Sequence, residues 1–108
     1  MTRLTAGAAL VAALLLLVRP AAAQTAATVE AGHRLADRYC ANCHVIVRNG
    51  PGGWTDAPSF ASIADRPNVS SAWLQGVITK EHVHMLNLPR DPADARMIAA
   101  YILSLRQK

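Results

Sequence analysis

Cys40-Ala41-Asn42-Cys43-His44 packs two thiols and an imidazole into five positions, and the chain beyond them is punctuated by Gly50, Pro51, Gly52, Gly53, Pro58 and Pro67. From Val45 to Val69 no alternation of apolar and polar residues suggests a strand. An irregular stretch this long is hard to place in a compact domain unless it covers something. The chain must therefore fold so that a helix ends at a thiol pair and a long loop leaves from it.

The amino terminus bears on where that happens. Arg3 carries charge, Leu4 to Val18 is a run of Leu, Ala, Val, Gly and Thr, and Ala21-Ala22-Ala23 follows Arg19-Pro20. A basic start, an apolar middle and an A-x-A end are the three parts of a secretory signal. The apolar run is shorter than the ~20 residues that span a bilayer. Residues 1–23 are therefore expected to be a cleaved signal peptide, leaving 24–108 as one exported domain with no membrane span. Loss of Arg3 and Arg19 lowers the formal charge from +4 to +2. The remaining basic residues are interspersed, without the stripe of a nucleic-acid binder, so no nucleic-acid partner is expected.

Three helices are predicted in that domain. The first spans about Thr28 to Cys43, with Val29, Gly32, Ala36, Tyr39, Cys40 and Cys43 on one stripe. The second spans about Ser71 to Glu81, capped by Ser70 or Ser71, with Trp73, Leu74, Val77 and Ile78 on one side. The third starts with Asp91 as N-cap and Pro92 at the first helical position. Its stripe is Ile98, Tyr101, Ile102, Leu105, and Arg106 and Lys108 lie at its carboxyl end, where the helix dipole favours cations. The fold class is all-α. A domain this small usually needs a disulfide framework, a metal or a cofactor to complete its core, and two cysteines make at most one bridge.

C-x-x-C-H is the attachment pattern of c-type haem. Two thiols about one helical turn apart add across the haem vinyl groups, and the adjacent imidazole supplies an axial ligand to iron. Three other readings compete. A thioredoxin-like redox pair follows a strand and opens a helix, whereas this pair closes one. A zinc site would draw Cys40, Cys43 and further histidines together, yet would give the long loop nothing to wrap. A Cys40–Cys43 disulfide would close a small, strained ring of little stabilising value. Haem answers the core deficit as well, because its apolar faces would bury the three stripes at about 25 cal/mol per Å².

The order of a Gly32-bearing helix, C-x-x-C-H, an irregular loop, a short helix, a loop methionine and a last helix reading from Met97 to Arg106 resembles the small class I cytochromes c. The resemblance covers 24–108 and implies the cytochrome c fold: about three helices and long irregular loops around one covalently attached haem c. It implies Cys40 and Cys43 as the covalent attachment points, His44 as the proximal ligand and Met85, sixteen residues before Tyr101, as the distal ligand. It further implies a close crossing of Gly32 with the helix carrying Tyr101, a Pro58 carbonyl holding His44, and Trp73 in the haem environment. The chain departs from the family pattern in having Leu86 where proline often follows the axial methionine. His82 and His84 flank Met85 and are expected to face solvent. Met97 is expected to pack within the third helix, and His33 to be exposed.

The function implied is a one-electron carrier of the periplasm, serving a dehydrogenase, an oxidase or another cytochrome, as a monomer or a small subunit of a complex. No acid, base or nucleophile constellation surrounds the motif, so no enzyme activity is expected. The alternative is a haem enzyme or gas-binding sensor with an open sixth position, with His82 or His84 as distal donor. A zinc-stabilised secreted module is a third, weaker alternative.

Overall fold

The computed structural model describes residues 21–51, 55–80, 82 and 91–107. Within them lie four helices: α1 (Ala21–Tyr39), α2 (Phe60–Ala64), α3 (Ser71–Lys80) and α4 (Pro92–Ser104). The described residues contain no strand, and none of these helices is long and apolar enough to cross a membrane.

Local chemistry accounts for each boundary. Asp91 sits in an extended conformation and its carboxylate accepts the Ala93 N–H at 2.8 Å, with Pro92 pre-set for the first turn. Ser70 accepts the Trp73 N–H at 3.1 Å and starts α3. Ser59 caps α2 in the same way through the Ser62 N–H, at 3.1 Å. That five-residue helix falls within the stretch read as irregular. It is too short for a periodic stripe to register, although Phe60, Ala61, Ile63 and Ala64 are all buried.

The first helix ends earlier than predicted, at Tyr39. The Ala36 carbonyl accepts both the Cys40 N–H, at 2.8 Å, and the Ala41 N–H, at 3.1 Å. The second bond spans five residues and loosens the helix at the first cysteine. The next turn is rebuilt at Cys40, whose carbonyl accepts the amides of Cys43 at 3.1 Å and His44 at 2.9 Å.

Helix α4 is the common partner: it packs against α1, α3 and α2, most extensively against α1, and every helix–helix contact among the described elements includes it. Ile98, Ala95 and Ala99 are wholly buried on its inner face, beside Ala36 of α1, Ala64 of α2 and Leu74 and Ile78 of α3. At the α1–α4 crossing, a Cβ built on Gly32 would lie 2.6 Å from the Met97 carbonyl carbon and 2.8 Å from Tyr101 Cβ, and would also strike the Met97 carbonyl oxygen. Backbone meets backbone there, so only glycine fits.

Arg106 lies at the carboxyl end of α4 as predicted, its N–H on the Leu103 carbonyl at 3.2 Å, but its side chain reaches other segments. Its guanidinium donates to the carbonyls of Ala64 at 2.7 Å and Val69 at 2.8 Å, because α4 ends before it at Ser104. The Leu105 carbonyl instead accepts from Arg48, at 2.6 Å, which also reaches Asp65 at 2.9 Å. Asp65 in turn accepts the Gln107 N–H at 2.9 Å. Lys108 lies outside the described residues.

Candidate functional site

The rebuilt turn after α1 presents both thiols and the imidazole. Cys40 packs against the core and Cys43 is exposed, and both thiols are free. Burial, followed by the neighbouring Cys43, pushes the Cys40 thiol up to about 11, so it stays protonated at neutral pH. This is the opposite of the acidified thiol of a redox C-x-x-C pair.

His44 is held from the loop side. Its Nδ1–H donates to the Pro58 carbonyl at 2.7 Å, the partner that the resemblance implied. A carbonyl can only accept, so Nδ1 carries the proton and the lone pair sits on Nε2. Two further bonds lock the same two segments together. Thr55 Oγ1 donates to the Cys43 carbonyl at 2.9 Å, and the Phe60 N–H donates to the Val45 carbonyl at 2.9 Å. Thr55 is itself fixed by the Ala57 N–H at 3.1 Å, a local turn built by its hydroxyl. Sequence reasoning missed Thr55. The available signal was a threonine two residues before Ala57 in a polar, turn-rich stretch.

The long loop is also tied to α4. Tyr101 donates its hydroxyl to the Ile46 carbonyl at 2.6 Å. Burial, and then the charge of Glu30, push its pKa above the usual 10.0, which keeps the phenol protonated and a donor. His33 stacks on the Tyr101 ring with centroids 4.7 Å apart, and is half-buried. That corrects the expectation of an exposed helix residue: the missing side chain of Gly32 draws α4 close enough for the tyrosine ring to cover its neighbour. Phe60 lies 5.3 Å from the His44 ring and 6.3 Å from the Tyr101 ring, between centroids.

His82 is likewise misplaced by the sequence reading. It is half-buried, its Nδ1–H donates to the Val77 carbonyl at 2.8 Å, and its ring centroid stands 6.2 Å from that of His44. A carbonyl freed at the end of α3 turns the ring back over the helix instead of releasing it to solvent. Trp73 leaves 47 % of its surface exposed. Met85 and His84 lie outside the described residues.

These groups fit a haem and fit the competing metal poorly. Two free thiols on one turn stand beside an imidazole whose Nδ1 is bound to the Pro58 carbonyl, which puts the lone pair of the neutral ring on Nε2. Among the described residues no cluster of three or more His, Cys, Asp or Glu is gathered to hold an ion, whereas a structural zinc needs four donors. Iron in a macrocycle asks the protein for only one or two.

No protein-family profile matches the chain, and no solved structure matches it either. A cytochrome c-552 from Bradyrhizobium diazoefficiens is 40% identical over 94 residues, which cover 85% of this chain and 90% of that protein. With that likeness over nearly its whole length, an all-helical fold and C-x-x-C-H on a rebuilt helical turn, the chain belongs to the small c-type cytochromes, which carry haem c covalently.

Proposed function

We propose that this cytochrome is an exported, periplasmic one-electron carrier and not an enzyme, with haem attached through Cys40 and Cys43, His44 as proximal ligand and Met85 as distal ligand. Residues 1–23 are its leader and 24–108 the mature domain. The observation that carries the reading is the tethered imidazole: His44 Nδ1–H on the Pro58 carbonyl, 2.7 Å away, puts the ring's lone pair on Nε2, next in the chain to two free thiols. A hydrogen bond of this kind fixes ring orientation and strengthens the nitrogen as a donor. Haem c supplies an Fe(III)/Fe(II) couple, and methionine ligation raises its potential. Filling both axial positions from the protein excludes substrate from the iron and leaves electron transfer as its task. Trp73, on the outer side of α3, contributes to the haem environment. The partners are other redox proteins (a dehydrogenase, an oxidase or another cytochrome), met as a free monomer or as a small subunit.

The test is made on the matured protein. Covalent haem staining after denaturation is expected, together with the weak red charge-transfer band that an iron–thioether bond gives ferric haem. A ferrous protein that binds carbon monoxide readily would instead have an open site, and the enzyme-or-sensor reading would replace this one.

A further inference from the structure

Two imidazoles in this structure are prepared alike. His44 Nδ1–H is spent on the Pro58 carbonyl at 2.7 Å, and His82 Nδ1–H on the Val77 carbonyl at 2.8 Å. Both rings therefore have the same tautomer, with the lone pair on Nε2, which is how metal-ligating histidines are usually held. The carbonyls come from different segments, the long loop and the end of α3, so the two rings are positioned independently. Their centroids are 6.2 Å apart and their planes tilted by 56°. Two imidazoles in line on opposite sides of one metal, each bonded at about 2.0–2.1 Å, have centroids roughly 6.3 Å apart. Rings packed merely for contact have no need of matched tautomers.

We infer that His82 is a second distal ligand, which binds the haem iron on the face opposite His44 whenever the Met85 sulfur does not. The inference rests on the haem reading above and adds to it a residue on the distal side. His82 is three residues from Met85 in the sequence. Loss of the thioether, by substitution or by oxidation of its sulfur, then leaves a six-coordinate, bis-histidine iron instead of an open one. The plain alternative is that His82 does nothing beyond capping α3 through Nδ1.

Matured protein is compared as parent, Met85→Ala, His82→Ala and the double variant, by ferric absorption and paramagnetic resonance and by ferrous carbon monoxide binding at neutral pH. Met85→Ala is expected to lose the thioether band yet stay low-spin, with carbon monoxide binding suppressed at least tenfold relative to the double variant. The double variant is expected to turn high-spin and bind carbon monoxide fully. If Met85→Ala is already high-spin and matches the double variant, His82 is a helix cap only and the inference is overturned. Where Met85→Ala does not accumulate, Met85→Leu removes the sulfur while keeping the bulk. A parent without the thioether band that turns high-spin on His82→Ala alone overturns Met85 as ligand and supports His82. A parent without covalent haem overturns the haem reading, and His82 with it.

Discussion

Two glycines lie within the described helices, and they have opposite surroundings. Gly32 in α1 is buried where α4 crosses, with the Met97 backbone and Tyr101 Cβ inside the space a methyl group would need. Gly76 in α3 has no atom of a neighbouring element within 4 Å of a Cβ built there. The same residue type thus marks a contact that nothing larger can occupy and a helix surface that no described residue covers at that point.

Substitutions at both sites break or sharpen this contrast. Gly32→Val is expected to have the largest effect, a loss of roughly 3 kcal/mol in urea or thermal unfolding of the haem-loaded protein, since backbone cannot yield as a flexible side chain can. A variant as stable as the parent would show that the crossing is looser than described. Gly76→Ala is expected to move the other way, stabilising α3 by about 0.5–1 kcal/mol through helix propensity. A loss there would mean that haem presses on this part of α3.

The smallest effect calibrates the scale on a polar contact remote from both glycines. The Gln107 N–H and the Arg48 guanidinium hold the Asp65 carboxyl below its ordinary 3.8. A depressed folded value stabilises the fold at pH above the unfolded value, and that contribution is lost as pH falls through the folded one. Asp65→Asn is therefore expected to lower the melting temperature slightly at pH 7. The gap to the parent should close as pH falls below 3.8 in a titration of melting temperatures.

What could be read beforehand follows the locality of each interaction. Helix α4 announces itself because Asp91, Pro92 and the stripe through Ile98 and Tyr101 act within one segment. The site was legible to the extent that C-x-x-C-H is a local chemical pattern, while Gly32 against Tyr101 and Pro58 against His44 came only with the family resemblance. The short helix α2 escaped because five residues carry no period. The inward turn of His82 and the stacking of His33 depend on where α3 ends and how closely α4 approaches, which neighbouring residues do not encode. The side-chain partners of Arg106 stayed hidden for the same reason: Ala64 and Val69 are about forty residues away along the chain.

That α4 is shared by every helix–helix contact among the described elements has a consequence in time. In a nascent chain that has not yet delivered residues 92–104, the three described helices before them have no contact with one another, and Ile46 still lacks its tyrosine partner 55 residues downstream. Closing so long a loop is entropically costly before the contacts that reward it exist. Docking of the last helix therefore completes the scaffold, and a polypeptide truncated before it would offer its thiols and imidazole on a chain still free to change shape.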